Sequence, residues 1–225
     1  MICSRRPPET LPAADGREAS HVIADVRDVN SVTDLVGATV ERLGRLDVLI
    51  NNAGGSPYVL AADASPRFLD KIIQLNLTAP LLLSQRANAV MQDQESGGVI
   101  LNITSVSGTR PSPGTAAYGA AKAGLINLTK TLAVEWAPKV RLCAITAGLI
   151  QTEKAHMHYG NEAGIAAASR TVPLGRLGHP DDVADAALFL ASPMSSYITG
   201  ADLILHGGGE RPAFLTAVQA AMKGS

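Results

Sequence analysis

Three residues that could act together on a proton lie close to one another in the sequence: Ser105, Tyr118 and Lys122. A tyrosine hydroxyl has an unperturbed pKa of about 10, and lowering it to about 7 needs roughly 4 kcal/mol of preference for the phenolate. Because Lys122 follows Tyr118 by one helical turn, its charge can supply this preference from the same helical face. A serine hydroxyl can donate to the carbonyl oxygen that the tyrosine protonates. The pattern predicts proton transfer to or from a C–O group.

The surrounding sequence predicts the elements that position these side chains. The apolar run Val99–Thr104 is typical of a buried strand, which puts Ser105 at the carboxyl end of that strand. Apolar residues at helical spacing predict a helix over Ala116–Ala137 that carries Tyr118 and Lys122. Open parallel sheets bind ligands beyond the carboxyl ends of their strands, so the three residues fall where a ligand is expected.

Length and composition restrict the class of protein. With 225 residues and a net charge of −1, the chain can form one large α/β domain, and its charge gives no reason to expect nucleic acid or an anionic membrane as a partner. No apolar run reaches the ~18 residues of a membrane span. Cys3 and Cys143 lack metal-ligand spacing, which favours free thiols and a cytoplasmic location. His156 and His158 lie two residues apart without a third ligand, so no metal is expected.

Short apolar runs alternate with helical patterns along the chain. The apolar runs predict buried parallel strands at His21–Val26, Leu46–Ile50, Val99–Thr104, Val140–Ile145 and Leu203–Leu205. Between them, Asn30 is the predicted N-cap of one helix, a longer helix is predicted from Pro66 to Met91, and Pro180 opens another. This order predicts an α/β fold with a doubly wound parallel sheet in a single domain over residues 1–225.

Several short motifs accompany the serine, tyrosine and lysine in a fixed order. They are Asp25-Val26, Asn51-Asn-Ala-Gly54, Asn76, the turn Ala147–Thr152, Pro173–Pro180, Phe189–Ser192, Tyr197–Gly200 and a last strand before Gly207-Gly208. With these motifs the chain resembles the short-chain dehydrogenase/reductase family from residue 1 to about Gly208. The resemblance implies a Rossmann-like fold and an NAD(P)-dependent oxidoreductase that interconverts a secondary alcohol and a ketone by hydride transfer.

The resemblance also implies a role for each catalytic position. Tyr118 would be the acid–base residue, Lys122 would lower its pKa and bind the nicotinamide ribose, and Ser105 would orient the substrate oxygen. Asn76 would hold a water that links Lys122 to solvent. The alternative for Asn76 is a purely structural bond to the backbone.

The same resemblance implies residues along the cofactor. They are Asn52, Ala53 and Gly54 at its border, Asp25 and Val26 around the adenine, and Ile150 and Thr152 beside the nicotinamide carboxamide. Asn51 is expected to be structural, and capping of the next helix is the alternative for Thr152. At the end of the family's second strand an acidic residue would favour NAD, whereas here Arg5 suits a 2′-phosphate, so NADP(H) is slightly favoured over NAD(H). The alternative for Arg5 is a solvated side chain.

One departure from the family concerns its first strand and the glycine-rich turn of G-x-x-x-G-x-G type that follows. We find no such turn, and Met1–Cys3 matches the end of the family's second strand, so we expect a fold that is N-terminally incomplete by about one βαβ step of roughly 30 residues. The absent strand would lie between Met1–Cys3 and Leu46–Ile50 and would leave two unpaired, aggregation-prone edges. The alternative function is therefore an inactive family member or an interaction protein that cannot hold the dinucleotide.

The remaining expectations concern substrate and assembly. Residues 154–171 are predicted to cover a small-molecule substrate, and Met157, Tyr159 and Ile165 would form an apolar wall that favours a lipid-, steroid- or acyl-thioester-like substrate. Residues 210–225 are predicted to form a tail whose apolar helical face packs on another surface. The resemblance implies a homotetramer or homodimer.

Overall fold

The computed structural model describes residues 1–11, 13–14, 17–153 and 155–223, whose longer strands form a parallel sheet. Four strands make up this sheet in the order β5 (Val48–Asn51), β6 (Gly98–Ser105), β7 (Val140–Ala147) and β8 (Asp202–Leu205). A separate parallel pair is formed by β1 (Ile2–Ser4) and β4 (His21–Ile23), and a short hairpin by β2 (Ala13–Ala14) and β3 (Arg17–Glu18). All five predicted strands are confirmed, with ends that differ by at most three residues.

Helices cover both faces of the four-stranded sheet. On one face, α3 (Ala79–Asp93) and α4 (Ala116–Glu135) pack against Ile100 and Leu142 of the two central strands. On the other face, α7 (Pro180–Ala191) packs against Leu101 and Cys143. Because both faces of β6 and β7 are buried, their sequences are nearly continuous apolar runs. The predicted doubly wound α/β architecture is confirmed.

The first helix, α1 (Val29–Leu43), begins one residue before its predicted cap. The prediction that Asn30 is the N-cap is wrong, because the carboxylate of Asp28 accepts a hydrogen bond of 2.7 Å from the backbone N–H of Ser31. An aspartate at this position satisfies an otherwise unpaired N–H group and interacts favourably with the helix dipole.

The predicted long helix from Pro66 to Met91 consists of three parts. A first helix, α2 (Pro66–Ile73), is joined to α3 by the π-helical turn Gln74–Thr78. The turn contains Asn76, which is fully buried. A single π-helical turn within a helix frequently marks a functional position.

The C-terminal third supplies the smaller helices α5 (His156–Tyr159), α6 (Glu162–Ser169) and α8 (Ala213–Lys223). The predicted covering segment 154–171 begins at Lys154, which lies outside the described residues, and the predicted tail ends with two residues that also lie outside them. The chain does not cover the apolar side chains at the start of α8, since Phe214 and Leu215 are exposed. No helix in the described ranges is both long enough and apolar enough to span a membrane.

Candidate active site

Ser105 is positioned by the end of β6 and by the tight turn that follows. The turn Val106–Gly108 is a 3₁₀ helix whose start is capped by the Ser105 hydroxyl, which accepts from the N–H of Ser107 at 3.2 Å. Gly108 brings this turn against α4, where a Cβ would lie only 2.8 Å from the carbonyl carbon of Lys122. A side chain would not fit there, so glycine allows the serine-bearing turn to approach the helix that carries Tyr118.

Tyr118 lies in the first turn of α4, with its hydroxyl close enough to the side chain of Ser105 for the serine to affect its pKa. Burial raises the pKa of the Tyr118 hydroxyl, and the side chain of Ser105 opposes this effect only in part. The tyrosine is therefore protonated at neutral pH. The structure brings Ser105 and Tyr118 close together, as the sequence predicts, although one ends a strand and the other lies in a helix.

Lys122 lies one turn further along α4 and is 4 % exposed. Its Nζ atom donates a hydrogen bond of 2.8 Å to the carbonyl oxygen of Ile103 and lies 5.6 Å from the centre of the Tyr118 ring. Burial lowers the pKa of Lys122 to about 8. The expectation that Lys122 holds the pKa of Tyr118 below its ordinary value is not met in the structure, because burial of the phenol raises this pKa.

Gly54 packs directly between the side chains of Asn76 and Lys122. A Cβ on Gly54 would lie 2.8 Å from Asn76 Oδ1 and 3.2 Å from Lys122 Nζ. The Asn76 amide accepts from the N–H of Gly55 at 2.8 Å and donates to the carbonyls of Gly55 and Ile72 at 3.0 and 2.9 Å. These bonds match the structural alternative for Asn76, which fixes the chain after β5 beside the lysine. Asn52 and Ala53 precede this contact and are exposed.

Asp25 and Val26 follow β4 at the carboxyl edge of the separate strand pair. Asp25 forms a bidentate ion pair with Arg27, with nitrogen–oxygen distances of 2.9 and 2.6 Å, and this pair lowers the pKa of Asp25 to about 2. Arg5 is exposed and close enough to Asp25 to contribute weakly to this lowering. Val26 is buried. The arginine at position 27 was not predicted, and its proximity to Asp25 in sequence was the signal that could have found it.

Ile150 and Thr152 lie in the turn after β7. Ile150 forms a parallel bridge with Gly178, whose missing Cβ leaves room for the isoleucine side chain 2.6 Å away. Thr152 is exposed, and the N-cap of the following α5 is Ala155, so the alternative in which Thr152 caps that helix is wrong. In the covering segment Tyr159 and Ile165 are half-buried, but Met157 is 70 % exposed and does not complete the predicted apolar wall.

A buried polar network supports the ends of β5 and β6. The amide nitrogen of Asn51 donates to Asn102 Oδ1 at 2.8 Å and to Ser84 Oγ at 3.0 Å, and Asn102 donates to Thr129 Oγ1 at 2.9 Å. The network joins two strands to α3 and α4. Asn51 matches its structural interpretation, while Asn102 was missed, although a polar residue inside the apolar run Val99–Thr104 was a usable signal.

Comparison with known proteins gives the context for this site. The family model described as enoyl-(acyl carrier protein) reductase matches residues 5–210. The chain belongs to the short-chain dehydrogenase/reductase family. Members of this family are oxidoreductases, so this protein is an oxidoreductase. Enzymes of the family generally use NAD(H) or NADP(H).

Three relatives illustrate the range of substrates among similar proteins. The chain is 38% identical over 197 residues to a 3-oxoacyl-[acyl-carrier-protein] reductase of Synechocystis sp., covering 87% of this chain and 77% of the relative. It is 38% identical over 183 residues to a 3alpha-hydroxysteroid dehydrogenase of Mediterraneibacter gnavus, covering 81% and 72%. The structure of ligand-free aldohexose dehydrogenase from Thermoplasma acidophilum superposes with a TM-score of 0.84 at 30% identity, covering 92% and 82%. The similar proteins thus act on acyl, steroid and sugar substrates.

Proposed function

We propose that this oxidoreductase interconverts a secondary alcohol and a ketone with NAD(P)(H), and that Tyr118 transfers the proton. The observation that carries the proposal is the position of Lys122 Nζ 5.6 Å from the centre of the Tyr118 ring, with the side chain of Ser105 close enough to act on the Tyr118 hydroxyl. A hydroxyl acid, a second hydroxyl donor and a buried ammonium group at one strand end are suited to a substrate oxygen whose charge changes during reaction.

The raised pKa of Tyr118 favours its role as an acid in ketone reduction. Its protonated hydroxyl donates to the substrate carbonyl oxygen, which Ser105 orients by a second hydrogen bond. The phenolate left on Tyr118 is stabilised by Lys122, which is charged below its pKa of about 8. In alcohol oxidation the same atoms work in reverse, so the phenolate form of Tyr118 must be supplied first.

The residues around Gly54 fit the nicotinamide half of a dinucleotide. Because residue 54 is glycine, its main chain is accessible beside Lys122, where a side chain would collide with Asn76. The neighbouring residues Asn52 and Ala53 are exposed. We assign Asn52–Gly54 to the border of the cofactor, Lys122 to its ribose, and Ile150 and Thr152 to the carboxamide. When bound, the cofactor supplies or accepts the hydride.

The residues after β1 and β4 fit the adenosine half. Asp25 and Val26 would border the adenine, with Asp25 held in place by Arg27. Arg5 is exposed beside them and can pair with a 2′-phosphate, which supports NADP(H) over NAD(H).

We further propose an apolar substrate, on the basis of Tyr159 and Ile165 in the covering segment. The steroid and 3-oxoacyl relatives support this class, whereas the aldohexose relative represents the competing one. Two steady-state assays of the protein expressed from its own gene locus distinguish them. Oxidation of NADPH is measured with acetoacetyl thioester or a 3-ketosteroid, and reduction of NADP⁺ is measured with an aldohexose, because the sugar donates the hydride. We expect turnover with acetoacetyl thioester or a 3-ketosteroid, and turnover confined to an aldohexose would contradict the substrate proposal.

Assembly and location complete the proposal. The outer edge of β8 and the neighbouring α7 expose Ile204 and Leu188, and the start of α8 exposes Phe214. Apolar surface at an unpaired strand edge favours association with further copies, so we propose a homodimer or homotetramer. The free thiols of Cys3 and Cys143 favour a cytoplasmic location.

A further inference from the structure

The turn that follows β7 is joined by hydrogen bonds to a second segment, residues 176–179, which leads into α7. The N–H of Gly178 donates to the carbonyl oxygen of Leu149 at 2.9 Å, and the N–H of Gln151 donates to the carbonyl oxygen of Gly178 at 2.8 Å. These two bonds form the parallel bridge between Ile150 and Gly178. The position of the turn therefore depends on the position of residues 176–179.

The bridge leaves the main chain of Ile150 available for a ligand. Because successive residues of an extended segment direct their N–H and C=O groups to opposite sides, these groups of Ile150 point away from Gly178. Among the described residues, the Ile150 N–H has no hydrogen-bond partner, and its carbonyl oxygen accepts a single bond, of 3.2 Å, from the N–H of Thr152. A carboxamide presents both an oxygen acceptor and N–H donors, so Ile150 offers one group for each.

The turn touches Gly178 closely but has free space beside it. A Cβ at Gly178 would lie only 2.6 Å from Cδ1 of Ile150, so a shift of either segment displaces the other. A cavity of about 280 Å³ is lined by Leu149, Ile150 and Gly178, together with Asp182 of α7. Packing leaves room for the turn to move into this cavity, so its position must be fixed by hydrogen bonds.

One carboxylate, that of Asp182, binds residues on both sides of Gly178. Its Oδ2 and Oδ1 atoms accept from Nη1 and Nη2 of Arg176 at 2.6 and 2.8 Å. Oδ2 also accepts from the N–H of His179 at 2.6 Å. The Arg176 side chain in turn donates to the carbonyl oxygen of Leu177 at 3.0 Å. Asp182 therefore fixes the segment that bonds to the turn.

The ion pair of Asp182 and Arg176 acts locally. The two side chains are 32 and 50 % exposed, and ion pairs of this kind contribute little to global stability. Hydrogen bonds from Arg176 and from the N–H of His179 hold the pKa of Asp182 well below its ordinary value, so the carboxylate is charged throughout the pH range of an assay. The main effect of the pair is thus on the position of Gly178.

We propose that Asp182 is a positioning residue for the cofactor. Through Arg176 and the segment around Gly178, it fixes the turn in which the main chain of Ile150 meets the nicotinamide carboxamide. This inference rests on the proposed function, which assigns Ile150 and Thr152 to that group. Because Asp182 acts on the turn after β7, its loss is expected to weaken binding of the nicotinamide half and to leave binding of the adenosine half unchanged.

The first measurement is hydrogen exchange in the protein without a ligand. Asp182→Asn keeps a side-chain oxygen for the N–H of His179 and removes the charge that pairs with Arg176. The amides of Gln151 and Gly178, which form the bridge, should then exchange at least about tenfold faster than in the wild type. Unchanged exchange at both amides would overturn the proposal.

Two further variants separate the ion pair from a general effect on α7. Asp182→Glu keeps the charge and should restore near wild-type exchange at the amides of Gln151 and Gly178. Asp181→Asn, at the exposed neighbouring position of the same helix, removes one negative charge and should also leave this exchange unchanged. Acceleration by Asp181→Asn equal to that by Asp182→Asn would show a non-specific charge effect and would overturn the proposal.

The second measurement compares two ligands of the protein expressed from its own gene locus. NADPH contains the carboxamide, whereas 2′-phospho-ADP-ribose has the same adenosine half and no nicotinamide. Calorimetric titration should show that Asp182→Asn weakens NADPH binding about tenfold and changes the affinity for 2′-phospho-ADP-ribose by less than about twofold. Equal losses for the two ligands would overturn the proposal, because a merely structural defect affects both halves of the site.

The two measurements also distinguish this inference from the proposed function. Failure of the wild type to bind either ligand would count against the proposed function and would overturn the cofactor role of Asp182 with it. Unchanged NADPH affinity of Asp182→Asn, in a protein whose wild type reduces a ketone with NADPH, would overturn only the positioning role.

Discussion

The four-stranded sheet and the separate strand pair form two halves of the molecule that differ in how completely their strands are paired. In the half from β5 to β8, the two central strands are bonded on both sides and covered on both faces, and Ser105 and Lys122 are held by this support. In the half with β1, β4 and α1, two short strands pair with each other and with no other strand of the described residues, and an apolar cleft lies between β1 and β5. The proton-transfer groups lie in the closed half, and the residues assigned to the adenosine lie in the open one.

The residues proposed for proton transfer and those proposed for binding the adenosine therefore lie in different halves. Ser105 and Ile103 lie in β6, and Tyr118 and Lys122 lie in α4, where Lys122 donates to the carbonyl oxygen of Ile103. Arg5 and Asp25, by contrast, follow β1 and β4 of the separate strand pair. We therefore expect changes in the closed half to affect turnover, and changes in the open half to affect mainly cofactor affinity.

The largest effect is expected from the closed half, at Tyr118. Tyr118→Phe removes the hydroxyl that transfers the proton and should lower kcat at least ~100-fold, since general acid–base catalysis contributes about 10²–10⁴. The matched control is Tyr197→Phe, which removes a hydroxyl from a fully exposed ring and should leave kcat unchanged. Steady-state reduction of a ketone by NADPH measures both variants, and near wild-type turnover in Tyr118→Phe would remove the tyrosine from the mechanism.

The buried charge of Lys122 provides a pH-dependent test of the same half. Its pKa is about 8 in the folded protein, against 10.5 as the ordinary value, so the charged form costs up to about 3 kcal/mol of folding stability. This cost is fully present below about pH 8, and it is relieved as the pH rises toward 10.5, because the unfolded chain then binds more protons than the folded one.

Lys122→Met removes this titration. Urea unfolding should therefore show a smaller rise in stability between pH 8 and 10 for Lys122→Met than for the wild type. Lys130→Met, at an exposed position of the same helix, is the control and should keep the wild-type slope. Equal slopes in all three proteins would show that Lys122 is not buried as a costly charge.

Gly54 lies where the two halves meet, and a methyl group there should disturb both. Gly54→Ala places a carbon 2.8 Å from Asn76 Oδ1 and 3.2 Å from Lys122 Nζ, which should destabilise the protein by about 1–3 kcal/mol and raise the KM for NADPH. Gly37→Ala in α1 is the control, since no atom lies within 4 Å of the added carbon. It should stabilise the helix by about 0.5–1 kcal/mol. A neutral Gly54→Ala would contradict the close approach of the β5 end to the lysine.

The smallest effect is expected in the open half, at Arg5. Arg5→Ala should weaken NADPH binding by roughly tenfold, as expected for loss of one charge-assisted hydrogen bond, with kcat unchanged. NADH binding should not change. Arg6→Ala is the neighbouring control. Equal losses for both cofactors would argue that Arg5 does not contact a 2′-phosphate and would remove the basis for preferring NADP(H).

The sequence predicts the closed half better than the open one. Hydrophobic periodicity and the spacing of Ser105, Tyr118 and Lys122 were sufficient for the strand, the helix and their contact, because each depends on local pattern and on the general geometry of parallel sheets. The raised pKa of Tyr118 was not predictable, since it depends on how much of the ring is buried. The sequence also could not show that Asn51 Oδ1 lacks a hydrogen-bond partner among the described residues, because this depends on how side chains from several elements pack.

The most direct test of the central claim, that Tyr118 protonates a ketone as it is reduced, is isotope transfer. The protein is expressed from its own gene locus and purified. It is then given a 3-ketosteroid or acetoacetyl thioester together with NADPH that carries deuterium at both positions of the nicotinamide C4. The product is analysed by mass spectrometry. We predict one deuterium on the new carbinol carbon and at least ~100-fold slower labelling in Tyr118→Phe. An alcohol product without deuterium at that carbon, or labelling at the wild-type rate in Tyr118→Phe, would contradict the account.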